Sequence, residues 1–174
     1  MQPTNSIKIK YKINRTLKPK PTASMNNHSK PTTESTYQNT LLSLKETVTH
    51  NWEQMCDKSQ NDKSRAGLIA KDFIQLVETH FREQHSPVFY AAILNISKSY
   101  LRKTCIQAFG HSPKNCVYAR VMLESCILFE DPRLNIAEIG SGLGFDDPAY
   151  FSRIFKKQRG IPPDAYRKMA LKLD

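Results

Sequence analysis

The sequence feature that most constrains the fold is the stretch of residues 134–160, which predicts two short helices joined by a turn. Asn135 can cap the first helix, and Glu138 lies three residues later, where it can complete a capping box. Gly144 is placed to end this helix, because glycine readily adopts the left-handed conformation that is common after a helix. The first half of the stretch therefore predicts a helix whose two ends are both marked by the sequence.

The second half of the stretch predicts another helix, which begins after Asp147. The carboxylate of an N-cap residue accepts hydrogen bonds from free backbone N–H groups, and Pro148 follows at a position where its missing N–H costs nothing. The apolar residues of this helix share one side and are Phe151, Ile154 and Phe155. Small and basic residues share another side and are Ala149, Ser152, Arg153 and Lys156. Residues 135–159 thus predict a helix-turn-helix with one packed face and one exposed face.

The exposed face of this second helix has two interpretations. A polar helix face is most often a solvated surface with no partner. Alternatively, the small side chains of Ala149 and Ser152 would let the helix approach the floor of a DNA groove, and Arg153 could donate two parallel hydrogen bonds to a guanine. The residues of this helix leave both interpretations open.

A glycine motif within the same stretch raises a different possibility. Residues 138–144, EIGSGLG, resemble the loop with which class I methyltransferases bind S-adenosylmethionine. That loop requires an apolar strand before the glycines and a nucleotide-binding sheet after them. Pro132, Arg133 and Asn135 stand upstream instead of a run of β-branched residues, and the thirty residues downstream have a helical pattern. We therefore expect no catalytic activity and keep the methyltransferase as a less favoured alternative.

The charge of the chain indicates a polyanionic partner. The 26 Lys and Arg residues exceed the 16 Asp and Glu residues, which gives a formal net charge of +10. Such a charge attracts polyanions, of which nucleic acid is the commonest. No apolar run approaches the length of a membrane span, and the first thirty residues lack the apolar core of a signal peptide. We expect a cytoplasmic protein with no membrane partner.

The cysteines and histidines indicate neither a metal site nor a disulfide framework. The four cysteines form no C-x-x-C pair and have no histidine nearby at the spacing of metal ligands. The five histidines are scattered and show no hydrolase arrangement with a nucleophile and an acid. We therefore expect reduced thiols, no metal and no cofactor.

The region upstream of the helix-turn-helix falls into an arm, a connecting helix and the start of a compact domain. Residues 1–39 contain seven Lys or Arg, one acid and several prolines, which predict a disordered basic arm. Residues 40–63 predict an amphipathic connecting helix and a loop. The apolar residues of this helix are Leu41, Leu44, Val48, Trp52 and Met55. We expect this face to be exposed but too small for a tight dimer, so the chain should be a monomer or a weak dimer.

Residues 64–174 predict a compact all-α domain that begins with a helix capped by Ser64. The apolar stripe of that helix is Leu68, Ile69, Phe73, Leu76, Val77 and Phe81. Residues 86–110 predict another helix-turn-helix, with a left-handed turn at Asn95 and an N-cap at Ser97. Its second helix should pack Tyr100, Leu101, Cys105 and Ala108 inward and expose Ser99, Arg102 and Lys103. Residues 112–131 predict a long linker helix between the two units.

Two helix-turn-helix units joined by one long helix resemble the DNA-binding domain of the AraC/XylS family of bacterial transcription regulators. The match covers residues 64–168, and its most specific part is residues 144–168, GFDDPAYFSRIFKKQRGIPPDAYRK. The signature positions of the family are occupied there by Phe145, Phe151, Phe155, Gly160, Pro163, Tyr166 and Arg167. The first unit matches at Tyr90, Ala91, Leu94, Ser97, Tyr100, Leu101, Gly110, Ser112 and Pro113.

The resemblance implies a sequence-specific DNA-binding transcription regulator that contacts two successive major grooves. The residues implied to contact base edges are Ser99, Arg102, Lys103, Ala149, Ser152 and Arg153. Those implied to bind phosphates are Lys98, Lys156 and Lys157. The implied partners are double-stranded DNA and RNA polymerase. The alternative is a helical interaction module that competes for a protein partner through Trp52 and its neighbours.

Three departures from the family pattern affect these expectations. Cys105 stands where phenylalanine is usual, so the first unit should pack loosely unless Ile106 or Phe109 fills the gap. Gly140 and Gly142 replace helix-favouring residues, and each costs about 1 kcal/mol relative to alanine in a helix. We therefore expect a less rigid domain than is typical. Family members usually carry a β-barrel sensor upstream, and we expect that barrel to be missing here.

Overall fold

The computed structural model describes residues 33–171, and this part of the chain consists of eight α-helices with no β-strand. The helices are α1 (Thr33–Asn61), α2 (Arg65–His80), α3 (Pro87–Ile93), α4 (Lys98–Phe109), α5 (Pro113–Leu128), α6 (Ile136–Gly142), α7 (Pro148–Arg159) and α8 (Pro163–Ala170). The predicted all-α fold class is confirmed. Helix α8 had not been predicted as a separate element.

The first helix differs from its prediction at both ends. It begins at Thr33, within the predicted arm of residues 1–39, and it continues through the predicted loop to Asn61. Neither added segment contains glycine or proline, so nothing in them breaks a helix. The rest of the predicted arm, residues 1–32, lies outside the described part of the chain.

The predicted helix starts are confirmed by hydrogen bonds. The Ser64 hydroxyl accepts from the N–H of Gly67 at 3.1 Å and caps α2. Asn135 and Glu138 form the predicted capping box at α6, with donor to acceptor distances of 2.9 and 2.7 Å. The Asp147 carboxylate accepts from the N–H of Ala149 at 2.8 Å and caps α7.

The two helix-turn-helix units repeat the same local design fifty residues apart. The second helices of the two units, α4 and α7, are both twelve residues long. They end at Gly110 and Gly160, whose φ angles of 74° and 78° favour glycine. Each glycine is followed three residues later by a proline that starts the next helix, Pro113 in α5 and Pro163 in α8. The residues of α4 and α7 therefore correspond one to one.

Helix α5 joins the units because it packs against both α4 and α7. Phe129, immediately after α5, is fully buried in a cluster of aromatic rings. Its ring centroid lies 5.2 Å from that of Phe155, 5.7 Å from that of Tyr166 and 6.4 Å from that of Phe151. Three aromatic residues of the family signature thus form the core of the second unit around the end of the linker helix.

Helix α1 packs on the same domain, and the predicted exposure of its apolar face is wrong for two residues. Trp52 is only 4% exposed and Met55 is also buried. The helix contacts α2, α4, α5 and α8, so the part of this face that carries Trp52 and Met55 is covered within the chain. Because Trp52 is buried, this residue is not on the surface through which the interaction-module alternative would bind a partner. In α2 the stripe is also shifted, because Leu68 is exposed and Ala70 and Ile74 are buried in its place.

A buried guanidinium group connects α1, α2 and α5. The Nε atom of Arg120 donates to Glu78 at 2.9 Å, and Nη1 donates to Glu124 at 3.1 Å. The indole N–H of Trp52 donates to the other carboxylate oxygen of Glu78 at 2.7 Å. The Arg120 guanidinium also lies 4.0 Å from the centroid of the Phe81 ring. The contact with Glu78 fixes α5 relative to α2, and the Trp52 hydrogen bond to the same carboxylate adds α1.

Packing compensates for two of the departures from the family pattern, Cys105 in α4 and Gly140 in α6. Cys105 is fully buried, and Phe109 rather than Ile106 is the neighbour that is buried with it, since Ile106 is exposed. A Cβ atom at Gly140 would lie 3.2 Å from the Phe151 ring, so the missing side chain allows α6 to approach α7 closely. Only Gly142, which has open space around it, has no packing role. The expectation of a less rigid domain is therefore not supported at Gly140.

The glycine motif does not form a cofactor-binding loop. Residues 138–142 belong to α6, and no strand precedes them in the described part of the chain. The strand, loop and helix that S-adenosylmethionine binding requires are thus not formed by this motif.

We predict that Arg120→Met lowers the free energy of unfolding by about 3 kcal/mol, because it removes the buried cation that pairs with the buried Glu124 carboxylate and leaves that carboxylate with the exposed Arg82 as its ion-pair partner. Urea denaturation measures this loss. Arg133→Met is the matched control, since it breaks an exposed pair with Asp131 and should change stability little. The double variant Arg120→Met, Glu124→Gln should recover part of the loss. Equal effects of Arg120→Met and Arg133→Met would contradict a structural role of the buried charge.

Candidate nucleic-acid interface

The exposed face of α4 carries the three residues predicted for the first unit. Ser99, Arg102 and Lys103 all lie on the surface, and together with Ile106 and Gln107 they line a shallow depression of about 460 Å³. Residues three and four positions apart on a helix are neighbours, which explains why these side chains share one face. The structure therefore brings the predicted group together and adds two residues to it.

The exposed face of α7 carries the predicted group of the second unit. Ala149, Arg153, Lys156 and Lys157 are exposed. Ser152 is half-buried, and its hydroxyl donates to the carbonyl oxygen of Pro148 at 2.9 Å, so its oxygen remains able to accept a hydrogen bond. This face combines two small residues with three cations.

The side chain of Arg153 is oriented by its own helix. Its guanidinium lies 3.5 Å from the Asp147 carboxylate and 5.8 Å from the centroid of the Tyr150 ring. Ion pairs between exposed groups contribute little, so the guanidinium can exchange this contact for a stronger one. Arg153 is thus held near the start of α7 and is available to a ligand.

Tyr100 was predicted to face inward, and this prediction is wrong. Its side chain is 37% exposed. Tyr150, which occupies the corresponding position of α7, is also 37% exposed. The residue after each tyrosine, Leu101 or Phe151, is fully buried and takes the inward position. The two tyrosines border the exposed faces of α4 and α7.

A second concavity lies beside the exposed face of α4. This cleft of about 330 Å³ is lined by Pro87, Lys98, Arg102, Ser112, Pro113 and Lys114. Three of these residues are cations and none is an acid, which favours an anionic ligand. Lys98 and Arg102 were predicted to contact DNA, whereas Lys114 was missed. Lys114 belongs to α5, and its distance along the chain from Lys98 concealed their proximity.

An aromatic junction packs the segment before α7 against the segment after α2 and against α5. The His85 ring lies 4.6 Å from that of Phe145 and 5.8 Å from that of Tyr118, measured between centroids. The His85 Nε2 atom donates to the carbonyl oxygen of Phe81 at 3.0 Å. Gly144 adds a backbone contact to this junction, since a Cβ atom there would lie within 2.3 Å of the Arg82 carbonyl oxygen. A side chain at residue 144 would clash with this oxygen, so the position requires glycine. The φ angle of 79° at Gly144 also favours glycine.

Burial in this junction lowers the pKa of His85 below its ordinary value of 6.5. Hydrogen bonds to the backbone of Phe81 and Leu143 oppose this effect, and the nearby charge of Lys114 adds to it. The neutral imidazole is therefore the form that the folded junction favours.

Residues 33–171 contain no group of three or more His, Cys, Asp or Glu side chains placed to hold a metal ion. None of the helices in this range has the length and apolar character needed to cross a membrane.

Comparison with known proteins identifies the domain. A family model described as a helix-turn-helix domain matches residues 90–169. The chain is 40% identical over 75 residues to the Msm operon regulatory protein of Streptococcus mutans, covering 43% of this chain and 27% of that protein. It is 31% identical over 98 residues to the arabinose operon regulatory protein of Salmonella typhimurium, covering 56% of this chain and 35% of that protein. The chain thus spans about a third or less of the length of these relatives.

Solved structures agree with the sequence comparisons. The C-terminal domain of AraT, a response regulator from Geobacillus stearothermophilus, superposes with a TM-score of 0.56 at 31% identity, covering 60% of this chain and 88% of that chain. The C-terminal domain of the two-component response regulator yesN from Fusobacterium nucleatum gives a TM-score of 0.53 at 26% identity, covering 56% of this chain and 95% of that chain. The resemblance predicted from the residues is confirmed.

We predict that acidification destabilises the fold through His85. Because the folded-state pKa is below the unfolded value, the stabilisation is present above pH 6.5 and is lost as the pH falls through the folded pKa. Urea denaturation between pH 7.5 and pH 5 should show this loss, and His85→Gln should reduce the pH dependence. His111→Gln, which changes an exposed histidine, is the control and should leave the slope unaltered. An identical slope in His85→Gln and the unmodified protein would contradict the assignment.

Proposed function

Since residues 90–169 form a helix-turn-helix domain of the AraC type, we propose that the chain is a sequence-specific DNA-binding transcription regulator that contacts two successive major grooves. The observation that carries this proposal is the correspondence between α4 and α7. Both helices have the same length, begin after a residue whose side chain caps them and end at a glycine, and both present an exposed face rich in cations. A major groove admits one α-helix, so two such helices can occupy two grooves.

The contacts with bases are proposed to come from both helices. The residues are Ser99, Arg102 and Lys103 on α4 and Ala149, Ser152 and Arg153 on α7. Arg153 is the strongest candidate for a specific contact, because a guanidinium can donate two hydrogen bonds to the O6 and N7 atoms of guanine. Ala149 has a small side chain and would let the start of α7 approach the base edges closely.

The contacts with phosphates are proposed to come from lysines at the margins of these faces. Lys98, Lys156 and Lys157 are exposed and flank the base-contacting groups. We add Lys114, because it shares its cleft with Lys98 and Arg102 and no acid lines that cleft. Such contacts fix the position of the protein on the duplex without selecting a sequence.

The remaining proposals concern partners, oligomeric state and location. We propose that the chain binds DNA as a monomer, because Trp52 and Met55, two of the five apolar residues expected on the surface of α1, are buried within the chain. RNA polymerase is the proposed second partner, on the strength of the family resemblance alone. We propose action in the cytoplasm, where bacterial DNA lies, and no catalytic activity, since the glycine motif is part of α6.

We predict that selection from a library of random DNA duplexes enriches an asymmetric site with two preferred blocks. Because α5 holds both recognition helices on one domain, the block centres should lie about 10 base pairs apart, which is one turn of DNA. Hydroxyl-radical footprinting on the selected site should show two protected grooves on one face. Enrichment of no sequence over random DNA would reject the proposed function.

We predict that Arg153→Ala reduces affinity for the selected site by about 1–3 kcal/mol and relaxes the preference at one base pair. Lys157→Ala and Lys114→Ala should weaken binding to all sequences alike. Each should also reduce the slope of log affinity against log salt concentration by about one. Lys71→Ala is the control, because Lys71 lines a groove between α1 and α2 that contains none of the proposed contacts. Binding titrations at several salt concentrations measure these effects. An equal loss on specific and random DNA for Arg153→Ala would contradict its assignment.

A further inference from the structure

One residue on the exposed face of α4 is apolar. Ile106 is 45% exposed and lines the α4 depression together with Ser99, Arg102, Lys103 and Gln107. We propose that Ile106 contacts the 5-methyl group of a thymine in the major groove and thereby selects thymine at one position of the DNA site. This proposal rests on the DNA-binding function proposed above and adds a specificity-determining residue to it.

The position of Ile106 on the helix supports a contact with a base. Ser99, Arg102, Lys103 and Ile106 have the spacing i, i+3, i+4 and i+7, which places four side chains on one helix face. Recognition helices of homeodomains contact bases from positions with this same spacing. In α7 the corresponding fourth position is occupied by Lys156. The two recognition helices therefore differ in chemistry at this position, with an apolar group in α4 and a cation in α7.

The surroundings of Ile106 favour DNA over a protein as its partner. Arg102 and Lys103 lie one helical turn away, and Gln107 is the adjacent residue in the same depression. A specific protein interface usually buries at least about 1,000 Å² around an apolar centre with few charges. A single isoleucine beside two cations does not provide such a centre. Those cations instead attract the phosphates that flank a groove.

The chemistry of the groove then identifies the group that Ile106 contacts. The base edges in the major groove present hydrogen-bond donors and acceptors, and the C5-methyl group of thymine is the apolar group among them. An isoleucine side chain cannot form hydrogen bonds, so it gains only from burying apolar surface. Thymine is therefore the base that α4 should prefer opposite Ile106.

The test combines a protein variant with a single-group change in the DNA. In the site obtained by selection, each thymine of the block contacted by α4 is replaced in turn by deoxyuridine, which removes only the methyl group. At one thymine we expect about a fourfold loss of affinity, the size expected for one buried methyl-sized group. Ile106→Ala should bind the original site about fourfold more weakly and should not distinguish thymine from deoxyuridine there. This non-additivity is the signature of a direct contact.

Ile127→Ala is the matched control, because Ile127 is 43% exposed on α5 and lines neither concave surface. It should bind like the unmodified protein and keep the full deoxyuridine penalty. Ile106→Val, a smaller change of the same shape, should keep part of the discrimination.

Two results would overturn the inference while leaving the DNA-binding function intact. One is a selected site in which no thymine of the α4 block is sensitive to deoxyuridine. The other is a deoxyuridine penalty that is as large in Ile106→Ala as in the unmodified protein. Failure to select any site would instead refute the proposed function itself, so the two failures are distinguishable.

Discussion

The buried guanidinium of Arg120 is the interaction on which the arrangement of the helices depends. A charge removed from water is tolerated only when its partners are well placed, and here the partners belong to different helices. Glu124 is on α5 with Arg120, whereas Glu78 is on α2 and also binds Trp52 of α1. The network therefore constrains where α1 and α2 lie on α5 more than it adds net stability. Helix α5 also packs against α4 and α7, so it connects this network to both recognition helices.

Most of the helix boundaries could be predicted because their signals are local. The caps at Ser64, Asn135 and Asp147 involve groups no more than three residues apart, so a single sequence contains the whole interaction. The Arg120 network could not be predicted in this way. Its contact with Glu78 joins residues 42 positions apart, and the sequence pattern of α5 presents Arg120 only as one polar residue among others.

The candidate site also contains some residues that local spacing predicts and others that it does not predict. The exposed faces of α4 and α7 were predicted from helical spacing, and the structure places their residues on the surface, while their contacts with DNA remain a prediction. Lys114 was missed because its proximity to Lys98 exists only after α5 has packed against α4. The inward orientation of Tyr100 was predicted wrongly, because helical spacing alone does not distinguish a buried residue from one at the border of the buried face. From the sequence, Ile106 is a candidate to fill the core beside Cys105, but its exposure makes it part of the surface.

The single linker helix has a consequence for how a protein of this kind can diverge. Each residue inserted into or deleted from α5 would rotate everything beyond it by about 100° and shift it by about 1.5 Å, since an α-helix has 3.6 residues per turn. Both recognition helices could then no longer face the same side of a duplex. Substitutions on the exposed faces of α4 and α7 carry no such penalty, because those side chains support none of the core. New DNA preferences in this lineage should therefore arise through point substitutions, while the length of α5 stays fixed.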